Sequence, residues 1–381
     1  MYLISMHMVN ETTGWGVGEP EDHEDLMGVT PEWSIFHTTD GGGHWKVVKT
    51  WDFSLGIIPF FLSEATAWIA INHHLIHTSN AGILWDEFAL PLAAGESAQV
   101  THLTFLDVRI GWLIARIYHS SAPPKSDPLT VLYHTNNGGT SWNQLLRISE
   151  QSWDNRWGKE ITFLTATTGW MTSGSLLLTT HDGGRTWQPQ TLPLPAGVES
   201  FSGLRFETPR FFSAQDGIIS ACRSDLHNST LNGFVVFVTH DGGQNWQSQP
   251  FVLKDYNQFY EKRYQMLLEK KVKEMKEVNN GETTFWFARD LVYRTTPAPQ
   301  FADMQYGWVG RPSLEMLITR DGGEHWEVLE LDALPQGIEQ IQFVNSRVGW
   351  GLMKNEEVFS TLICQTTDSG KTWTRLIPTT F

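Results

Sequence analysis

One eight-residue pattern, T-x-[D/N]-x-G-x-x-W, recurs seven times and constrains the fold more than any other feature of the chain. In each copy the Asp or Asn oxygen can accept hydrogen bonds from N–H groups just ahead, and the Thr hydroxyl can add another. The glycine allows a positive φ that other residues resist. Each copy therefore predicts a tight turn between two strands. We name these segments the corner motifs, and their Asp or Asn positions are Asp40, Asn80, Asn137, Asp182, Asp241, Asp321 and Asp368.

A second, weaker pattern precedes most of the corner motifs and consists of a Gly-Trp or Ala-Trp pair. In the fifth repeat Gly217-Ile218 takes its place. The six copies are Gly14-Trp15, Ala67-Trp68, Gly111-Trp112, Gly169-Trp170, Gly307-Trp308 and Gly349-Trp350. The regular spacing of both patterns indicates one structural unit repeated along the chain.

Each repeat reads as four short strands, most clearly in the fourth repeat. Its runs at 161–164, 169–172, 176–180 and 187–190 are short and bounded by Gly, Ser, Asn or Asp, as strands are. About 50 residues per repeat fits one four-stranded blade. An open solenoid would need capping sequences at its ends, and none is evident. The sequence predicts an all-β fold: residues 1–381 form a single seven-bladed β-propeller of four-stranded antiparallel blades, with one helical insertion.

At these residues the chain resembles the Asp-box (BNR) repeat family. The combination of Gly-Trp with T-x-D-G-G-x-x-W is similar to the photosystem II stability/assembly factor-like branch of that family. The resemblance runs from about residue 3 to about residue 378 and breaks near 254–296. It implies a propeller in which the Asp-boxes are turns remote from the ligand. Asp-boxes also occur in sialidases, xyloglucan-type glycoside hydrolases and sortilin-type receptors, so the resemblance is more specific for fold than for function.

The long segments of the chain are predicted to lie on one face of the propeller. A corner motif between the third and fourth strands shares a face with the link between the first and second strands. The other links share the opposite face, and they hold the long segments 18–31, 116–129, 146–160, 191–210, 223–233 and 254–296. Because loops on a rigid scaffold carry binding function, we expect the working surface there, around the mouth of the central channel.

Five tryptophans outside the two patterns lie in or beside these links, namely Trp33, Trp51, Trp153, Trp157 and Trp286. Each could simply pack beneath its loop. Alternatively, they could form an aromatic platform for a sugar ring or a peptide side chain. Residues 153–157 combine stacking surface with hydrogen-bonding groups. The candidate ligand-binding residues are Trp51, Trp153, Asp154, Arg156, Trp157 and Trp286.

The segment 254–296 interrupts the repeat between blades five and six. Apolar residues recur at helical spacing over residues 255–278, and Glu269 with Lys273 is a favourable i,i+4 pair. Residues 279–281, Asn-Asn-Gly, form a plausible stop signal. We expect a helical insertion that either packs on the propeller rim or acts as a lid or a docking arm for a partner.

Charge restricts the partners of the chain. There are 42 Asp+Glu against 27 Lys+Arg, a formal charge of −15, which argues against nucleic acid. No apolar stretch is long enough to predict a membrane span. The acidic residues 19–25 could hold calcium, but they lack the spacing of an EF-hand loop, so a solvated loop is expected. We expect no metal and no cofactor.

Two classes of enzyme were weighed against a binding protein. A sialidase needs an arginine cluster and an F/Y-R-I-P signature that is absent here. A xyloglucan-type hydrolase needs a carboxylate pair, for which Asp52, Asp154 and Glu160 are available without a spacing that singles them out. Motifs of serine hydrolases, zinc proteases, CxxC proteins and P-loop proteins are absent. The densest His group, His73-His74 with His77, is expected in a strand rather than at a metal.

The leading hypothesis is a monomeric, non-catalytic binding or assembly scaffold that recognises a protein segment or a glycan on the face opposite the corner motifs. The alternative is a glycoside hydrolase or lyase that uses carboxylates on that face. No export signal is visible, so an extracytoplasmic location requires that a signal has been removed, and a cytoplasmic location is the other option. We expect the ring to close without an overlapping strand, by packing near Trp15 and Trp373, and to fray at that seam.

Overall fold

The computed structural model describes residues 2–19, 33–51, 57–119, 128–149, 159–195, 204–223, 234–249, 298–310, 316–329, 338–355, 360–377 and 379–380. They form seven antiparallel sheets, each built on four strands in sequence order, and the predicted seven-bladed β-propeller is confirmed. The described residues contain no helix. The predicted helical insertion at 254–296 lies outside the described residues.

The strands at the inner side of each blade come first in sequence. The first strands are β1 (Tyr2–Met8), β5 (Ile57–Phe61), β9 (Glu96–Phe105), β13 (Lys159–Phe163), β17 (Leu204–Phe206) with β18 (Arg210–Phe211), β22 (Gln300–Phe301) and β26 (Ile338–Phe343). The second strands are β2 (Gly14–Glu19), β6 (Ala67–Ile71), β10 (Gly111–His119), β14 (Gly169–Ser173), β19 (Gly217–Arg223), β23 (Gly307–Gly310) and β27 (Gly349–Asn355).

The third and fourth strands flank the corner motifs. The third strands are β3 (Trp33–Thr38), β7 (His74–Thr78), β11 (Leu129–Thr135), β15 (Leu176–Thr180), β20 (Phe234–Thr239), β24 (Met316–Thr319) and β28 (Ser360–Thr366). The fourth strands are β4 (His44–Trp51), β8 (Asp86–Ala89), β12 (Asn143–Ser149), β16 (Gln188–Pro189), β21 (Gln247–Ser248), β25 (Glu327–Leu329) and β29 (Thr374–Leu376). A short last strand, β30 (Thr379–Thr380), follows.

The first strands surround the propeller axis. Neighbouring first strands contact one another, as β5 does with β9, β9 with β13, β22 with β26 and β26 with β1. The first strand of blade five is divided into β17 and β18, which both pair with β19. The first strands therefore line a central channel, and the break in blade five changes which residues face it.

Every corner motif closes by the same hydrogen bonds, as blade four illustrates. The Thr180 hydroxyl donates to Asp182 Oδ1 at 2.9 Å, and the backbone N–H of Thr186 donates to the same oxygen at 2.9 Å. The N–H of Gly184, whose φ is 97°, donates to the Thr180 hydroxyl at 3.0 Å. The turn chemistry predicted from the motif is therefore present, and the positive φ explains its glycine.

Each corner motif also bonds to the link between the first two strands of its own blade. In blade four, for example, the N–H of Gly183 donates to the carbonyl of Thr167 at 2.9 Å. The other six blades make the equivalent bond, from Gly41 to Thr12, Ala81 to Ala65, Gly138 to Arg109, Gly242 to Gln215, Gly322 to Gln305 and Ser369 to Arg347. These bonds place both kinds of link on one side, the corner face, as predicted. We call the other side the opposite face.

The glycine of the Gly-Trp pattern makes room for an aromatic ring from the first strand. In blade four, Gly169 pairs with Phe163, and a Cβ added at Gly169 would lie 2.5 Å from the Phe163 ring. That ring stacks on Trp112 of blade three with centroids 3.6 Å apart. The Trp112 indole N–H donates to the carbonyl of Gly183 in the blade-four corner at 3.0 Å. Glycine, Phe and Trp thus join adjacent blades through stacking and a hydrogen bond.

The ring closes with an overlapping strand, so the expectation that it closes without one is wrong. Thr379 and Thr380 pair in parallel with His44 and Trp45 at the outer edge of blade one. A two-residue strand has no hydrophobic periodicity that a sequence pattern can detect.

The residues at the seam also differ from those expected. Trp350 of blade seven and Trp45 of blade one share a core cluster, and the Trp350 indole donates to the carbonyl of Gly41 at 2.8 Å. Trp15 packs instead between blades one and two, and Trp373 packs with residues of blades six and seven.

Side-chain amides of blade seven strengthen this seam. Gln342 Oε1 accepts the N–H of Met8 at 2.7 Å, and Gln342 Nε2 donates to the carbonyl of Met8 at 2.8 Å. Gln340 bonds Met6 in the same two ways, at 3.0 and 2.7 Å. The two amides satisfy backbone groups at the free inner edge of β1, which no strand covers.

Candidate functional site

Trp51 is the described member of the ligand-binding residues predicted from sequence. It ends β4 and pairs with Trp33 across the blade-one sheet. It packs against a cluster that includes Ile57 of blade two, and Lys49 Nζ lies 5.8 Å from the centre of its ring. Trp51 therefore belongs to the outer strand of blade one, where that blade packs against blade two. The other candidates, Trp153, Asp154, Arg156, Trp157 and Trp286, lie outside the described residues, as do Asp52 and residues 20–25 of the acidic loop.

The Asp and Asn residues of the corner motifs are spread one to a blade, and their oxygens are used by their own turns. The Thr186 hydroxyl and N–H, which both donate to Asp182, lower the pKa of that carboxyl to about 2. In the sixth corner, ligand-type atoms of Asp321, Glu324 and His325 lie within 4.8 Å of one another, all exposed. Asp321 Oδ2 and His325 Nδ1 are already paired at 2.7 Å, so the turn accounts for this group.

Of the three histidines predicted to lie in a strand, His74 and His77 belong to β7, whereas His73 lies in the turn before it. His74 begins β7 and its Nδ1 lies 3.1 Å from Glu87 Oε1 of β8. The His77 ring stacks on Trp68 with centroids 4.7 Å apart, which draws it away from His73 and His74. The His73 and His74 rings lie next to each other, with centroids 4.1 Å apart, and His77 is held apart from them by Trp68.

A charged cluster lies on the first strands of blades four and five, near the opposite face. Arg205 Nη2 lies 3.5 Å from Glu160 Oε1 and 3.6 Å from Glu207 Oε1. Glu160 pairs with Thr172 and Arg205 with Cys222, near the ends of β14 and β19 that face away from the corners. We name Glu160, Arg205 and Glu207 the mouth cluster. It brings two carboxylates and one guanidinium together at the channel mouth.

The surroundings of the mouth cluster favour the neutral forms of its acids. Burial raises the pKa of Glu160, and the nearby Arg205 charge opposes this effect. Burial also raises the pKa of Glu207, with a further contribution from the Glu160 carboxylate. Since desolvation and like charge both disfavour a carboxylate, a cation that entered the cluster would lower these pKa values and favour the ionised forms.

Deeper in the channel, one residue of each first strand pairs with the residue that follows the glycine of the Gly-Trp pattern. This shared register puts the seven residues at one depth, and we name them the channel ring. They are His7, Phe60, Thr104, Thr162, Arg210, Gln300 and Gln342. The channel ring contains a guanidinium, an imidazole, two hydroxyls, two amides and a phenyl group, and no carboxylate.

Three basic side chains in or near the channel ring, His7, His102 and Arg210, are surrounded by protein to an extent that lowers their pKa values. His7 reaches channel water, yet the surrounding protein and the Arg210 charge lower its pKa to about 4. His102, two residues before Thr104 of the ring, has a pKa lowered to about 4 by burial, although its Nε2 lies 2.9 Å from the carbonyl of Ile161. Burial also lowers the pKa of Arg210. Both imidazoles are therefore neutral at pH 7.

Sequence reasoning named Glu160 but missed Arg205 and Glu207, which complete the mouth cluster, and Arg210 of the channel ring. Glu207 and Arg210 follow the described strand β17 in the run Leu-Arg-Phe-Glu-Thr-Pro-Arg-Phe at 204–211. Polar residues alternating with buried apolar ones in a first strand would have indicated them. A second missed signal is a Phe six residues before the glycine in five repeats and before Ala67 in the second, with Met8 in the first.

Comparisons with known proteins give a fold but no family. No protein-family model matches the sequence, and no curated protein sequence matches it. A structure described as YCF48 bound to D1 peptide matches with a TM-score of 0.52 and 14% identity, covering 96% of this chain and 91% of that one. The GH74 xyloglucanase from Xanthomonas campestris matches with a TM-score of 0.54 and 11% identity, over 97% of this chain and 52% of that one.

A third structure, the oligogalacturonate lyase from Vibrio parahaemolyticus, has a TM-score of 0.51 and 8% identity over 96% of this chain and 89% of that one. At these identities the likeness establishes the propeller fold alone, and the neighbours include both a peptide complex and enzymes. Within the described part of the chain, no helix has the length and apolarity needed to cross a membrane.

Proposed function

We propose that the chain is a non-catalytic binding scaffold that holds a protein segment at the channel mouth on the opposite face. The observation that carries this proposal is the mouth cluster. Glu160 and Glu207 share one nitrogen of Arg205 at 3.5 and 3.6 Å, so two carboxylates face one guanidinium. When both acids are ionised the cluster carries one excess negative charge, which suits a basic side chain of the segment.

Two further observations support a protein segment as the ligand. The structurally similar YCF48 is described as bound to a D1 peptide. The formal charge of −15 favours the approach of a basic partner. The mouth cluster stands on first strands that are fixed in the propeller core, so its charged groups are presented by a rigid frame.

Selection of peptides tests this proposal directly. Random peptides displayed on phage are selected on the full chain, and we expect enrichment of Lys or Arg. The double variant Glu160→Gln, Glu207→Gln should bind the selected peptides about tenfold or more weakly than the wild type. The reason is that the substitutions remove the charges that pair with the basic side chains of the peptides. Glu324→Gln, at an exposed position in a corner motif, makes the same chemical change on the other face and should leave affinity unchanged. Equal affinities for all three proteins would contradict the proposal.

The proposal extends to the candidate residues 153–157. Trp153 and Trp157, which precede Glu160 closely in sequence, would add stacking surface for the segment. In the variant Trp153→Ala, Trp157→Ala, the same selected peptides should bind more weakly. Unchanged affinity would show that neither tryptophan contributes to binding. It would not contradict the role of the mouth cluster, which the Glu160→Gln, Glu207→Gln variant tests separately. A pull-down with and without residues 254–296 tests the insertion in the same way.

A second candidate function is cleavage of a polysaccharide. It is favoured by the raised pKa values of Glu160 and Glu207, since a carboxyl kept neutral can act as a general acid beside a second carboxylate. Incubation with xyloglucan, oligogalacturonate and chromogenic glycosides distinguishes the two functions. Turnover that disappears in both Glu160→Gln and Glu207→Gln would replace the scaffold with an enzyme.

A further inference from the structure

Arg210 of the channel ring carries a positive charge for which the described residues supply no counter-ion. Its guanidinium is exposed to the channel, yet it is sufficiently enclosed by protein for its pKa to fall. Within the described part of the chain it forms no ion pair, because Glu160 and Glu207 both contact Arg205 instead. An enclosed charge without a partner is costly unless an ion of opposite sign approaches it.

The composition of the channel ring supports an anion as that partner. None of its seven residues is acidic, although Asp and Glu outnumber Lys and Arg in the chain by 42 to 27. Gln300 is exposed and occupies on the next blade the register position that Arg210 has on blade five. His7 lies further around the ring, close enough for the Arg210 charge to lower its pKa. These side chains offer N–H donors at one depth of the channel.

Aromatic rings hold the two basic groups in place. The His7 imidazole stacks on Phe61 with centroids 5.8 Å apart. The Arg210 guanidinium lies 5.4 Å from the centre of the Phe212 ring. Both side chains are therefore restrained before a ligand arrives, which reduces the entropy that binding costs.

We propose that the channel ring binds a small oxyanion through Arg210, Gln300 and His7. The planar guanidinium can bind either a carboxylate or a tetrahedral phosphate or sulfate through two parallel hydrogen bonds. The amide of Gln300 and one N–H of His7 complete the set of donors. The site lies deeper than the mouth cluster and has the opposite charge preference.

Isothermal titration of the full chain with sodium phosphate, sodium sulfate and sodium acetate, at an ionic strength held constant with sodium chloride, tests the proposal. Saturable binding of at least one anion is expected, and the three arms distinguish tetrahedral from carboxylate ligands. Arg210→Gln should weaken that binding by about tenfold or more. Arg375→Gln, which removes an exposed arginine of β29, should leave it unchanged.

The location is read independently from NMR spectra of protein labelled in the histidine rings. The His7 resonance is assigned by its loss in His7→Gln. Its chemical shift should change with anion concentration along the same saturation curve as the heat of binding. Heat that rises linearly without saturation, or an affinity that is equal in wild type and Arg210→Gln, would overturn the proposal. If Arg210→Gln does not fold, Arg210→Lys replaces it: weaker saturable binding supports the site, and unchanged affinity refutes it.

Discussion

At the scale of single residues, the corner motifs use hydrogen bonds rather than charge. Asn80 and Asn137 occupy the position held elsewhere by Asp, and their Oδ1 atoms accept the same N–H and hydroxyl donors. The requirement is therefore for an acceptor oxygen at one position, and a carboxylate is one way to supply it. This explains why seven side chains that resemble a repeated functional group do not form a shared site.

Substitution of Asp182 tests this interpretation. Asp182→Ala removes the acceptor of the Arg185 and Thr186 N–H groups and should lower the free energy of unfolding by about 1–2 kcal/mol. Asp182→Asn keeps the acceptor oxygen and should lower the free energy of unfolding clearly less than Asp182→Ala does. Urea denaturation of both variants gives the comparison, and equal losses would mean that the charge is what the corner needs.

The pH dependence of stability tests the lowered pKa values of His7 and His102. The pKa of each falls from an ordinary 6.5 to about 4 in the folded chain. The unfolded chain therefore binds more protons than the folded chain between these pH values. Stability should therefore fall as pH is lowered from 6.5 to 4, by at most about 3 kcal/mol for His102 and by less for the exposed His7, whose charge is screened by water.

His102→Gln should reduce this pH dependence but not abolish it, because His7 and other histidines with lowered pKa values remain. Exposed His181→Gln is the control and should keep the slope of the wild type. Denaturation midpoints measured across this pH range provide the test, and an unchanged slope in His102→Gln would contradict the assignment.

At the scale of strands, the sequence predicts what is repeated and misses what occurs once. The corner motifs and the Gly-Trp pairs recur, so seven blades of four strands could be predicted from them. The division of the blade-five first strand into β17 and β18 occurs in one blade, and Glu207 lies between the two parts while Arg210 begins the second. The mouth cluster also joins Glu160 and Arg205, 45 residues apart, and that contact depends on the packing of two blades.

The partnership of glycine and phenylalanine is testable at this scale. Gly169→Ala would place a methyl group 2.5 Å from the Phe163 ring and should cost about 1–3 kcal/mol of stability. Phe163→Leu provides space for that methyl group, so the double variant should be more stable than the sum of the two single losses predicts. Additive losses would show that the ring and the glycine are not coupled.

At the scale of the whole molecule, the ring depends on contacts between its two ends. The strand β30 pairs with β4, and Gln340 and Gln342 bond the inner edge of β1. The seam is thus fastened at both its outer and inner edges, by residues too few or too isolated to form a sequence pattern.

Removal of residues 378–381 should loosen this seam. The loss of the β30 pairing is expected to lower stability by about 1–2 kcal/mol and to speed amide exchange at His44 and Trp45. Calorimetry and hydrogen exchange measure the two effects. A truncated chain with unchanged melting and unchanged exchange at β4 would show that β30 does not contribute to closure.

The central claim is that the corners are structural and that recognition occurs at the opposite channel mouth. Hydrogen exchange of the full chain with a selected peptide, compared with the free chain, tests it most directly. The account predicts added protection in residues 159–163 and 204–207, which carry the mouth cluster, and none in the corner at residues 180–187. Protection confined to the corner motifs would contradict it.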